Sequence, residues 1–302
     1  MSNGGNWPVR HFTWLKQSVK EFGRTDPLVL ASSIAFFTIF ALPGVLVILL
    51  QVAGVLFEAA DVRNGLMDQV SGSIGAGAAE KLDKVLADVR ISDSSIGQQI
   101  VSIAGILISA TMAFVALQRG LNKIWGVKIE KGQGLKKQLV TRGIGLLVMA
   151  GMSFLLPLSL LFDDLLVFLV DQFGLPFSSD AWKMIISQFI SFLLMFVTMS
   201  VFYKVLPNAK IHWNDVWAGA VLATVLFMVL RHLVGLYIEI TDIGRAFGAG
   251  KGILVLLVWM FMTAMIILFG AFHCHTVALA QGHGIDPGRH AKAVDGADAR
   301  SR

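Results

Sequence analysis

Cysteine is nearly absent. Cys274 stands alone among 302 residues, which excludes an intramolecular disulfide. Charge is scarce too. Asp, Glu, Lys and Arg make up 15% of the chain, where soluble domains carry about 25%. The sequence contains no HExxH, GxSxG or paired CxxC motif, so the common zinc-protease, serine-hydrolase and zinc-knuckle chemistries have no foothold. No cleavable leader is expected from the opening stretch: "MSNGGNWPVRHFTWLKQSVKEFGRTDP" is too polar for an h-region and has no small-residue cleavage site after one. The first apolar helix is therefore expected to serve as an uncleaved insertion signal.

Apolar sequence is abundant. Hydrophobic residues reach 55% and mean hydropathy is +0.71. The scarce charges cluster, leaving runs such as "LVLASSIAFFTIFALPGVLVILL", Leu28 to Leu50. At ~1.5 Å per helical residue such a run crosses ~30 Å of hydrocarbon. The chain reads as an all-α integral membrane protein with six transmembrane helices, at Leu28–Leu56, Ile96–Leu117, Leu139–Phe162, Lys183–Val205, Asp215–Ile240 and Gly252–Ala280.

The basic residues orient it. Seventeen Lys/Arg lie in the first segment, the loop from Arg119 to Arg142, the loop holding Lys204 and Lys210, and the tail; seven lie on the opposite side. The positive-inside rule then predicts both termini in the cytoplasm. This bias accounts for much of the pI near 9.4 without nucleic acid. The basic loop "RGLNKIWGVKIEKGQGLKK" carries one Trp rather than the interleaved aromatics that stack bases, so anionic lipid headgroups are its expected partner.

Three non-spanning regions follow. Residues 1–27 predict an amphipathic helix, with Phe12, Leu15, Val19 and Phe22 on one face. It lies either on the membrane surface or against the protein's own cytoplasmic loops. Residues 57–96, acidic overall, predict an external cap with short helices near Ala59–Val70 and Ala78–Val89. "DDLLVFLVDQFGLPFSSD" fits an interfacial or re-entrant segment. Residues 281–302 lack apolar periodicity and predict a disordered cytoplasmic tail. The membrane domain is 28–280.

Charges inside spans are functional hypotheses. Arg231 and His232 interrupt the fifth span, toward its outer end. Glu239 falls near the His232 face, and Asp163 and Asp164 end the third span on the same side. These five residues can form an outward-facing cluster that binds an anion or relays protons; structural pairing with snorkelling is the alternative. Pro43 with Gly44 and Pro157 are candidate helix breaks. "ITDIGRAFGAGKG" lacks GxxxxGK[ST] spacing and reads as a tight hairpin. "GAFHCHTVA" places His273 and His275 about 200° apart on a helix, unable to chelate one metal together. Both are expected to be interfacial anchors meeting headgroups. His212 and Asp215 sit together near the start of the fifth span without a nucleophile. No metal, cofactor or oligomeric partner is read from the sequence, and no enzyme activity is expected.

"ASSIAFFTIFALPGVLVILL", "ALQRGLNKIWGVK", "YKVLPNAKIHWNDVWAGAVLATVLF" and "LYIEITDIGRAFGAGKGILVLLVWMFMTAMIILFGA" occur in an order and spacing that resemble the YihY/BrkB family of bacterial inner-membrane proteins, over roughly residues 15 to 281. The resemblance implies six helices with both ends cytoplasmic. Members of that family were once assigned tRNA-processing ribonuclease activity, an assignment now regarded as mistaken. They have been linked to serum resistance and to envelope lipid or lipopolysaccharide traffic. The chain departs from the family pattern at Phe36 or Phe37, Phe247 and Phe261, where relatives often carry Tyr, and at Phe272, where they often carry Glu. A mechanism needing that glutamate is in doubt for this chain. The resulting expectation is transport, or help in transport, of an envelope lipid or amphipathic molecule. The alternative is a scaffolding membrane protein without a pathway.

Overall fold

The computed structural model of the chain describes residues 7–53, 63–65, 67, 68, 70, 71, 76–88, 96–129, 180–240, 251–284, 287, 288 and 291–293. The third span, the segment after it, the hairpin at 241–250, Asp163, Asp164 and Pro157 lie outside them.

The elements run α1 (Trp7–Phe22), a 3-10 turn (Gly23–Thr25), α2 (Pro27–Ala53), α3 (Ala76–Asp88), α4 (Ile96–Ile124), β1 (Val127–Ile129), α5 (Asp180–Val205), α6 (Trp213–Ile240), α7 (Lys251–Ala280) and β2 (Ala291–Ala293). Three helices are long and apolar enough to cross a membrane, at Gln188–Val205, Trp213–Val234 and Ile253–Ala280. A fourth follows if α1 and α2 count as one broken span. No more than 33% of any of these three windows is buried, so the apolar side chains largely face outward, as lipid requires. On α6 the exposed set Trp217, Val221, Val225, Val229 and Leu233 recurs every four residues; Ile185, Phe189, Leu193 and Val197 do the same on α5.

The 73° bend between α1 and α2 has a local cause. Pro27 occupies the first position of α2, where its missing N–H costs nothing, and it disfavours helix for the residue before it. Asp26 takes φ 53, a left-handed conformation that Asp tolerates better than most residues. α1 then packs on α7. Ser18, fully buried, hydrogen-bonds His273 Nδ1 at 2.9 Å, and Phe22 meets Phe269 and Phe272 edge-on at 5.2 and 6.0 Å. One side of α1 is thus held by the bundle, while Val19 stays exposed. α2 continues through Pro43 and Gly44 as one helix.

α7 is the central element, in contact with α1, α2, α3, α4, α5 and α6. Small residues allow its close crossing with α6. A Cβ on Gly219 would run into Cys274 Sγ and the carbonyl oxygen of Gly270, and one on Gly270 into Tyr203 Oη and Ala223 Cβ, all inside 3.0 Å. Such small-residue contacts replace the hydrophobic drive that is missing between helices in lipid. Tyr203 donates to Ile267 O at 3.0 Å, and Cys274 lies 3.6 Å from Val216 O. At the other end of this pair, Val70 packs on a cluster of Leu230, Val255 and Trp259.

Two expectations need correction. The tail is not disordered throughout: β2 pairs antiparallel with β1, Val127 opposite Ala293 and Ile129 opposite Ala291, and Pro287 bridges Ala209. Backbone hydrogen bonds, rather than apolar periodicity, hold it. His273 and His275 do not meet headgroups. His273 is buried against Ser18, and His275 packs edge-on to Trp125 at 5.2 Å. They face opposite sides as expected, but α1 covers one side and the end of α4 covers the other.

Candidate functional site

Among the described residues, a dense polar structure lies where α4 and α5 end and α6 begins. The carbonyls closing a helix lack intrahelical partners, and Pro207 prevents α5 from continuing. Gln118 of α4 supplies one missing partner, donating from Nε2 to Leu206 O at 3.1 Å. Asn122, buried, accepts the backbone N–H of Asn208 on its Oδ1 at 2.8 Å. Asn208 O in turn accepts the N–H of Gly288 at 2.9 Å. "LNKIW" and "LPN" are thus two halves of one clasp, and the chain after α7 forms its third layer. Leu121, Ile124, Trp125, Leu206 and Ile211 bury their side chains beneath it. Lys204 donates to Ile211 O and stands 5.4 Å over the Trp213 ring, fixing the approach to α6.

At the edge of the clasp, two helix ends bring three polar side chains together. His212 caps the start of α6: its carbonyl accepts from Asp215 N at 3.1 Å and Val216 N at 3.2 Å. Asp215 follows in the first turn, where a carboxylate is favoured by the positive end of the helix dipole. α7 closes with a Schellman motif. His283 N bonds Ala278 O at 2.9 Å and Gly282 N bonds Leu279 O at 3.1 Å, with Gly282 at φ +77, a conformation glycine adopts freely. This turn carries His283 onto Asp215. Its Nδ1 lies 2.9 Å from Oδ2 and 3.1 Å from Oδ1. His212 Nδ1 is 4.0 Å from Oδ2, and the two imidazoles stack at 4.3 Å with 26° between planes. Asp215 is 1% exposed. His212 and Asp215 are neighbours in sequence; His283 escaped notice because it is 68 positions away. The glycines on both sides of it are the one local cue to a helix cap.

The residues singled out from sequence lie elsewhere. Arg231 is half-buried and His232 exposed, both on the last third of α6. Neither forms an ion pair among the described residues. Leu230, beside Arg231, packs against Val255 and Trp259, while Val229 and Leu233 point outward. Glu239 lies on the same continuous helix, ~12 Å further along its axis; its side chain is outside the described residues.

A sequence profile of the family described as Virulence factor BrkB matches residues 18–293. A UPF0761 membrane protein of Verminephrobacter eiseniae (strain EF01-2) is 25% identical over 275 residues, covering 87% of this chain and 62% of the relative. One from Idiomarina loihiensis is 29% identical over 178 residues, 57% of this chain and 58% of its own length. A ribonuclease-like protein of Bacillus subtilis (strain 168), YfkH, is 21% identical over 271 residues, 85% of this chain and 92% of its own. The chain spans less than two thirds of the length of the UPF0761 relatives just described. No solved structure matches it.

Proposed function

We propose that this chain, which belongs to the Virulence factor BrkB family, moves or helps to move an envelope lipid or similar amphipathic molecule across the bacterial inner membrane. Arg231 carries the reading. It is a half-buried cation in a largely apolar span, and a charge placed there costs ~2.5–3.5 kcal/mol at midplane on insertion scales, less toward the interface. Such a cost is usually kept for a reason. A guanidinium matches an anionic headgroup bidentately, and the exposed row Val221, Val225, Val229 and Leu233, about 200° round the helix from Arg231 at its outer end, offers acyl chains a surface on the opposite face. In this reading His232, Glu239, Asp163 and Asp164 complete the outer polar cluster, and Pro43, Gly44 and Pro157 give the helices local weakness.

The arrangement proposed has six spans, both termini in the cytoplasm and an external acidic cap made by residues 57–96. Basic residues between Arg119 and Arg142 contact anionic headgroups on the inner face, and nucleic acid plays no part. Lipid mass spectrometry of the purified protein tests the reading. One anionic class should be enriched over the bulk membrane and lost in Arg231→Ala. A co-purifying lipid profile equal to the bulk and unchanged by that substitution would remove its basis.

A further inference from the structure

We propose that His212, Asp215 and His283 form a binding site for a zinc-class divalent cation, which pins the chain after α7 to the start of α6. Their ligand atoms all lie within 4.8 Å of one another. On a tetrahedral zinc with bonds of ~2.0–2.2 Å, neighbouring ligand atoms stand ~3.3 Å apart. His283 Nδ1 and Asp215 Oδ2, at 2.9 Å, are already near that spacing. His212 Nδ1, at 4.0 Å from the same oxygen, must close by less than ~1 Å to reach it. His212 is exposed and free to do so; Asp215 is buried and His283 is held by the Schellman turn.

Hydrogen bonding alone does not account for the geometry. His283 Nδ1 already reaches both carboxylate oxygens. His212 is surplus to that bond, yet its ring stacks on His283 with Nδ1 toward the same carboxylate. A shared cation uses all three groups at once. Burying a carboxylate calls for a compensating positive charge, and a divalent ion supplies it while accepting lone pairs from both imidazoles. Two nitrogens and one oxygen are a donor set suited to zinc. With only three protein ligands and His212 open to solvent, the fourth position belongs to water. The ion would reinforce two helix ends already joined by the His283–Asp215 bond and the Cys274–Val216 contact.

Zinc titration of the chelator-treated full chain in detergent is the test, read by calorimetry and by thermal melting. One zinc per chain is expected to bind and to raise the melting temperature. Asp215→Asn and His283→Ala should each weaken binding at least ~100-fold, since changes merely adjacent to ligands cost ~10–100-fold. His212→Ala, at an exposed position, preserves the fold and should weaken binding as well; His11→Ala should not. Failure of the wild-type chain to take up zinc at micromolar concentration overturns the proposal. So does zinc binding that survives His212→Ala with His283→Ala, since the ion is then adventitious.

Discussion

Replacing Gly219 with alanine tests the α6–α7 crossing at its tightest point. The new methyl would meet Cys274 Sγ and the Gly270 carbonyl oxygen inside 3.0 Å. The sulfur can rotate only within a packed core, and the carbonyl belongs to a helix backbone, so neither yields cheaply. Overpacking of this kind costs ~1–3 kcal/mol, and a backbone obstacle places it at the upper end. Alanine returns ~1 kcal/mol through helix propensity. The net loss is ~2 kcal/mol, or ~4–8 °C in melting temperature on soluble-domain scaling. Gly105→Ala is the matched control. Nothing lies within 4 Å of its Cβ position, so the same exchange in α4 should be neutral or stabilising by up to ~1 kcal/mol. Cys274, the only cysteine and fully buried, supplies a second readout: a thiol-reactive dye reaches it only when α6 and α7 part. Gly219→Ala should lower the melting temperature and speed labelling, with Gly105→Ala doing neither. Equal melting and labelling in both variants would refute the close crossing.

Other outcomes follow from the clasp and from α1. Asn122→Ala leaves the Asn208 N–H without its acceptor in a part-buried setting, a loss of ~1 kcal/mol readable as a lower melting temperature; an unchanged value contradicts the clasp. Ser18→Ala removes the contact to His273 and should cost ~1 kcal/mol, making α1 more open to limited proteolysis while the remaining helices stay protected. Removing residues 285–302 takes away β2 and the Pro287 bridge, and should expose Val127 and Trp125, seen as increased solvent quenching of tryptophan fluorescence. A green fluorescent protein fused to the C-terminus should fluoresce and an alkaline phosphatase fusion should stay inactive, as a cytoplasmic end requires.

The spans at α5, α6 and α7 were legible because hydrophobic runs and membrane thickness leave few alternatives. α6 was expected at Asp215–Ile240 and runs Trp213–Ile240; α7 was expected at Gly252–Ala280 and runs Lys251–Ala280. The helix near Ala78–Val89 is present as Ala76–Asp88. Interactions between distant segments were not legible. Ala291–Ala293 carries no strand periodicity, and its order depends on β1, some 160 residues earlier by the register of Val127 with Ala293. The same holds for His283: local glycines signal a cap, while its carboxylate partner becomes visible only after α6 and α7 are placed side by side. His273 and His275 were assigned to headgroups because helical position alone shows depth in a membrane, not which neighbours cover the face. Phe272 is clearer for the same reason. It is buried against Phe22 and near His275, an apolar contact between α7 and α1.

The transport reading is tested most directly by translocation of fluorescent phospholipids in proteoliposomes. Wild-type protein is expected to carry an anionic phospholipid between leaflets faster than empty vesicles, with a zwitterionic one carried less. Arg231→Ala, shown to be folded by its melting curve, should reduce the anionic rate toward the empty-vesicle level. Wild-type rates no greater than those of empty vesicles for every lipid class, or full activity in Arg231→Ala, would contradict the account and favour a scaffold without a pathway.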